Sequence, residues 1–172
     1  EEVQRSAATT AAVDAVRRMF RTLRMAAQQT QQTAGISAAQ LFVLSTLASG
    51  AASSLTELGE RTHTDRTSVA GVVARLAAAG LVKRCRSRTD RRRMEVRITP
   101  AGRALLDRAP APPTALLIAG MDALDDDTLA SLAGGLGRLA SAMGLEGAPA
   151  PMLFEEDEAM HSPTVRRRVR NG

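Results

Sequence analysis

A chain of 172 residues with 44% hydrophobic composition is of a size to form one compact domain with an ordinary core. It carries 23 basic and 18 acidic residues, and its one cysteine and two histidines exclude an internal disulfide and offer no metal set at a recognisable spacing, so no cofactor is expected. No stretch approaches the roughly 18 apolar residues of a membrane span, and the opening EEVQRSAATT has neither the basic end nor the apolar centre of a secretory signal. A cytoplasmic protein with no membrane partner is therefore expected.

From Ala12 to about Gln32, Val13, Val16, Phe20, Leu23 and Ala27 recur three or four residues apart, predicting a long first helix with one buried stripe. Gly35 ends it. Ser37 and Gln40 then make a capping box for a second helix, with Leu41, Leu44 and Leu47 on its apolar face and ASGAAS as its end. A short third helix follows with Thr56 as N-cap and Leu58 inward. After the turn Thr62-His63-Thr64, Asp65 caps a fourth helix that runs to about Ala79, with Val69, Val72, Val73 and Leu76 inward and Gly80 at its end. Two helices joined by a tight turn are the helix-turn-helix signature.

LVKRCRS and MEVRIT are short β-type segments joined by RTDRRR, which predicts a hairpin, or wing, with a charged tip. Thr99 and Pro100 open the next helix, the prolines at 110, 112 and 113 end it, and a further helix spans about Thr114 to Leu124. Asp125, Asp126 and Asp127 suit the positive N-terminal end of a last helix bearing Leu129, Leu132, Leu136, Leu139 and Met143. From Glu146 onward the chain is interrupted by proline and carries an acidic and then a basic block, so 146–172 is expected to be a flexible tail.

Charge is concentrated. Between Arg61 and Arg97 there are eleven basic and three acidic residues, a net +8 in a chain whose total is +5. Beside a helix-turn-helix pattern, such a patch is expected to bind double-stranded DNA, because neutralising phosphates releases counterions. The residues of the fourth helix that point away from its apolar stripe are Arg66, Thr67, Ala70, Gly71 and Ala74, with Ser68 and Arg75 at the margins. This is the face that would enter a major groove. Arg66, Thr67 and Ser68 can reach base edges or phosphates, whereas Ala70, Gly71 and Ala74 offer only close approach, so DNA shape is expected to carry part of the specificity.

Residues 55–102, LTELGERTHTDRTSVAGVVARLAAAGLVKRCRSRTDRRRMEVRITPAG, resemble the winged helix-turn-helix core of the MarR family of transcriptional regulators. The most specific matches are Asp90-Arg91-Arg92 in the wing and ITPAG opening the next helix, and with the flanking helices the resemblance covers roughly residues 12 to 145. It implies a mainly α fold with a small β-hairpin wing, in which a winged helix-turn-helix core is flanked by N- and C-terminal dimerisation helices. In these terms 1–36 is the N-terminal dimerisation helix, 37–102 the DNA-binding domain and 103–145 the C-terminal dimerisation helices. The implied function is a homodimeric, ligand-responsive repressor on a pseudo-palindromic operator.

The resemblance also assigns roles to residues. The recognition helix lies in the major groove, Arg92 enters the minor groove and Asp90 braces the wing by pairing with an arginine; the plainer reading of Asp90 is a polar turn residue. DNA contacts are thus expected from Arg66, Thr67, Ser68, Gly71, Arg75, Arg88, Asp90, Arg91, Arg92 and Arg93. A small aromatic or phenolic effector is implied between the dimer helices and the DNA-binding lobe, lined by Phe20, Arg24, Leu41 and Phe42, although Phe20 and Phe42 also suit plain core.

The sequence departs from the family where Gly71 replaces a commonly polar or basic residue, and it lacks the early cysteine of the peroxide-sensing branch. Two alternatives belong to other classes. One is an architectural DNA-binding protein without operator choice. The other is a redox sensor working through Cys85, which stands among Lys83, Arg84 and Arg86, unless that cysteine is simply a small strand residue. No nucleophile, acid–base pair or metal set has the spacing of an enzyme site.

Overall fold

The computed structural model describes residues 2–50, 53–87, 90, 92–148 and 150–155. In chain order these form α1 (Glu2–Ala34), α2 (Ala38–Ala48), α3 (Leu55–Thr62), α4 (Arg66–Ala78), β1 (Val82–Arg86), β2 (Met94–Ile98), α5 (Pro100–Leu106), α6 (Pro113–Asp122) and α7 (Asp126–Ala142). The architecture is the expected one, mainly helical with one antiparallel hairpin.

Helix α1 starts ten residues earlier than its apolar spacing predicts, because the alanine-rich stretch before Ala12 favours helix without needing a packing face. The predicted buried stripe is a correction. Only its end is covered: Ala27 is buried and Leu23 half-buried, while Val13, Val16 and Phe20 stand exposed, Phe20 at 58%. Among the described residues, none covers that part of the helix. Gly35 ends α1 with φ +69°, a left-handed conformation that glycine adopts without a Cβ clash.

Helix α2 forms the centre of the core. Ser37 Oγ accepts from the Gln40 amide at 3.2 Å and Gln40 Oε1 accepts from the Ser37 amide at 2.8 Å, the predicted capping box. Ala39, Leu41, Val43 and Leu44 have no exposed surface, so α2 is buried on nearly every side rather than on one face. It packs on α3, α4, α5, α6 and β2. Leu58, Val69, Val72, Val73 and Leu76 complete a fully buried apolar cluster, closed by Val82 and Val96 from the hairpin and Leu105 from α5. Burying each such side chain contributes roughly 1.5–3 kcal/mol.

The start of α3 also differs from expectation. Its N-cap is Ser54, not Thr56: Ser54 Oγ accepts from the Glu57 amide at 3.2 Å and Glu57 Oε2 accepts from the Ser54 amide at 2.8 Å. The pair Ser54 and Glu57 forms a reciprocal box that satisfies two backbone donors, which Thr56 cannot match.

Part of the predicted tail is docked. Met152 is only 3% exposed and belongs to the core cluster, and the Glu155 amide donates to the Met152 carbonyl at 3.0 Å. A flexible tail from Glu146 is thus not what residues 150–155 form; residues 156–172 lie outside the described part. Helix α7 buries none of its residues, and Leu136 and Leu139 along it and Met143 at its C-cap lie exposed. Among the described residues, no helix is long and apolar enough to cross a membrane.

Candidate nucleic-acid interface

The candidate interface is built on the turn between α3 and α4. His63 takes a left-handed conformation (φ 52°) and the Thr64 amide donates to the Gly59 carbonyl at 2.9 Å. A Cβ on Gly59 would lie 2.8 Å from the Thr64 carbonyl oxygen, so only glycine permits so close a return of the chain. Thr56, Gly59, Glu60, His63, Thr64 and Arg66 line a shallow open concavity over this turn.

Asp65 then starts α4. Its Oδ1 accepts from the Thr67 and Ser68 amides at 2.7 and 3.0 Å. Hydrogen bonding from Ser68, and then from Thr67, holds the Asp65 carboxyl below the usual carboxylate range. A consequence follows for anion binding: two of the helix's first amides are already satisfied, so a phosphate at this end must be met by side chains. Arg66 and Thr67 are exposed there and Ser68 is half-buried. Gly71 and Arg75, one and two turns further on, are half-buried by the docked C-terminal segment: Glu155 Oε1 lies 3.5 Å from the Arg75 guanidinium.

The hairpin pairs Val82 with Ile98, Arg84 with Val96 and Arg86 with Met94. Ser53 adds a bridge on the free side of β2, exchanging bonds with Val96 at 3.2 and 2.8 Å, which fixes the base of the wing to the loop before α3. The ITPAG segment anchors the other side. Thr99 Oγ1 accepts from the Gly102 amide, and a Cβ on Gly102 would drive into the Leu81 carbonyl.

Asp90 braces the tip, but not by pairing with a guanidinium among the described residues. Its Oδ1 accepts from the Arg92 backbone amide at 2.9 Å, and its carbonyl accepts from the Arg93 amide at 2.9 Å. Two short backbone bonds close an aspartate turn, the plainer of the two readings of Asp90, without ordering a long side chain. The arginines then divide. Arg92 is exposed, whereas the Arg93 guanidinium turns back to Glu57 Oε1 at 3.7 Å. Arg88 and Arg91 lie outside the described residues.

The basic patch divides in the same way. Arg61 donates to Ser53 Oγ at 2.9 Å, to Ser49 Oγ at 3.1 Å and to the Thr46 carbonyl, tying α3 to the end of α2. Arg97 pairs with Glu95 at 3.0 Å. Arg66, Lys83, Arg84, Arg86 and Arg92 are exposed, so these carry the outward charge. Sequence reasoning missed the structural use of Arg61, which has no local signature, and of Glu57, which does: Ser-x-x-Glu is a readable cap.

The four residues expected to line an effector site are not brought together. Leu41 and Phe42 are buried in the core, while Phe20 and Arg24 lie on the exposed side of α1, the guanidinium 6.0 Å from the ring centroid. Cys85 is half-buried on β1, its sulfur 3.8 Å from the Glu95 carbonyl. Among the described residues no group of three or more His, Cys, Asp or Glu could hold a metal ion.

Comparison with known proteins bears on this surface. Residues 34–93 match the sequence profile of the MarR family. Among solved structures, BpsR of Bordetella bronchiseptica, whose DNA binding is regulated by 6-hydroxynicotinic acid, is 29% identical, with 74% of this chain and 91% of BpsR covered and a TM-score of 0.51. Two others share the fold at lower identity: a MarR family transcription regulator (18% identical, 93% and 98% covered, TM-score 0.54) and BldR of Sulfolobus solfataricus, a transcriptional regulator (21%, 83% and 99%, 0.51). No curated protein sequence is similar at a significant level.

Proposed function

We propose, from the match of residues 34–93 to the MarR family profile, that this is a DNA-binding transcriptional regulator acting as a homodimeric, ligand-released repressor on a pseudo-palindromic operator. The observation that carries this reading is the exposed cationic surface formed by the start of α4 and the wing, with Arg66 and Thr67 on one element and Arg92 on the other. Arg66 and Thr67 read base edges or hold phosphates in the major groove. Arg92, its backbone fixed by Asp90, enters the adjacent minor groove, where a narrow groove concentrates negative potential.

Homodimerisation is supported by the uncovered apolar residues of α1 and α7. Val16 and Phe20 on one helix and Leu136, Leu139 and Met143 on the other, the last 64% exposed, leave more apolar surface open than scattered single residues would. A two-fold dimer presents two copies of α4, which implies half-sites about one helical turn apart. The effector site then forms only in the dimer, with Phe20 and Arg24 on the side that a second chain covers. The likeness to BpsR supports a small aromatic acid as the class of effector.

Selection of bound fragments from sheared genomic DNA of the source organism tests the proposal. Enrichment of a two-fold symmetric sequence with two half-sites supports it. Uniform recovery of unrelated fragments would favour a DNA-coating role without operator choice.

A further inference from the structure

We propose that Met152–Glu155 is an autoinhibitory strap that lies across the middle of the DNA-reading helix and must leave before DNA binds fully. The inference rests on the reading of α4 as the DNA-facing helix. Two anchors hold the strap. Met152 is buried in the core, and Glu155 faces α4, with Oε1 3.5 Å from the Arg75 guanidinium and 3.4 Å from where a Cβ on Gly71 would stand.

The turn between the anchors is closed on itself. The Glu155 amide donates to the Met152 carbonyl at 3.0 Å, and Glu155 Oε2 accepts from the Met152 amide at 3.1 Å. One carboxylate oxygen therefore locks the turn while the other meets the arginine. Phe154 sits between them with φ 65°, a left-handed conformation costly for an aromatic residue, which the two anchors hold in place.

The position of this carboxylate gives it an effect on DNA binding. Gly71 and Arg75 belong to the face that meets the groove, and Gly71 has no side chain to keep another group away. A carboxylate over them brings like charge against the phosphates and occupies the arginine that would otherwise reach the nucleic acid. DNA binding exchanges one ionic partner of Arg75 for another, so the affinity of the chain reflects how often the strap is open. The absence of a side chain at Gly71 thus becomes the seat of the strap, while Arg66 and Thr67, at the start of the helix, stay uncovered.

The test compares the full chain with three variants, using fluorescence anisotropy on a mixed-sequence duplex at two salt concentrations. Glu155→Gln keeps an oxygen for the Met152 amide but removes the charge; a chain ending at Ala148 removes the strap; Glu146→Gln makes the same charge change away from the contact. A strap closed nine-tenths of the time weakens apparent affinity about tenfold, so the shortened chain should bind about tenfold tighter. Loss of a single partly exposed ion pair predicts a gain of about two- to fivefold for Glu155→Gln, and none for Glu146→Gln. Amide exchange at Met152 and Glu155 should quicken when the duplex is added to the full chain.

Equal binding by the full chain, Glu155→Gln and the shortened form would overturn the strap, as would an equal gain from Glu146→Gln. If the shortened chain loses its helical circular dichroism signal, Glu155→Gln and the exchange rates decide. Failure of every form to bind any duplex would instead refute the DNA-binding reading itself.

Discussion

The Glu57 carboxylate lies 3.7 Å from the Arg93 guanidinium, so the residue that caps the first turn of α3 also holds the wing. One oxygen accepts from the Ser54 amide and the other faces the arginine, which couples the helix-turn-helix to the hairpin through a single side chain. Ser54→Ala removes the cap and should lower stability by about 0.5–2 kcal/mol in urea unfolding. Glu57→Gln, which keeps the hydrogen bond and loses the ion pair, should cost less than about 1 kcal/mol. A larger loss for Glu57→Gln than for Ser54→Ala would contradict this division of roles.

On the proposed placement of Arg92 in the groove, Arg92→Ala should weaken DNA binding and lower the slope of log affinity against log salt by about one, because one cation facing the phosphates is lost. Arg93→Ala acts through the shape of the wing and should change the slope less. Identical slopes for Arg92→Ala and the unaltered chain would remove Arg92 from the interface.

Gly59→Ala puts a Cβ 2.8 Å from the Thr64 carbonyl oxygen and should destabilise by about 1–3 kcal/mol, with loss of DNA binding, since the turn that aims α4 must shift. Gly120→Ala is the contrasting substitution. It lies within α6 with no atom within 4 Å of the added Cβ, and should stabilise by up to about 1 kcal/mol. Equal unfolding midpoints for the two variants would contradict the packing described at the turn.

Acid should act on the same caps. Hydrogen bonds from Ser68 at Asp65, from Ser54 at Glu57 and from Thr128 at Asp125 lower all three carboxyls from ordinary values of 3.8, 4.5 and 3.8. The unfolded chain then binds more protons in this range, so the stabilisation is present above those ordinary values and is lost as pH falls through the lower folded ones. Melting temperature should therefore be insensitive to these groups above about pH 5 and fall below it. The gap between the unaltered chain and Asp65→Asn should close as pH drops from 6 to 3; a constant gap would exclude Asp65 from the acid response.

Leu136→Glu and Leu139→Glu place charge on the exposed apolar face of α7. On the proposed dimer, each should raise the dissociation constant at least about tenfold in sedimentation equilibrium and weaken binding to the proposed operator with it. Unchanged association would move the dimer contact elsewhere.

Much of this architecture was legible because local chemistry and tertiary packing agree. Ser37 with Gln40, Asp65 before Val69, and Thr99 followed by Pro100 are caps whose partners lie within three or four residues, so the signal is contained in a short window. Thr56 misled because β-region N-caps are common to Ser and Thr alike; the reciprocal Glu57 decides for Ser54. What could not be read depends on distant contacts. Arg61 meets Thr46 and Ser49 across 15 and 12 residues. Met152 returns to the core, and Glu155 to Arg75, from a stretch whose proline and charge content resembles a linker. At the wing the choice of residues was visible, but the partner of Asp90 was not, since a carboxylate beside several arginines satisfies a backbone amide as readily as a guanidinium.

The most direct measurement is titration of the enriched genomic duplex and a scrambled duplex of equal length with the unaltered chain and with the double variant Arg66→Ala, Arg92→Ala. A regulator that reads DNA through α4 and the wing should bind the enriched duplex at least about 10³-fold tighter than the scramble, and the double variant should lose most of that ratio. Equal affinity of the unaltered chain for both duplexes, or a double variant that keeps the full preference, would contradict the assignment of this surface to sequence-specific DNA recognition.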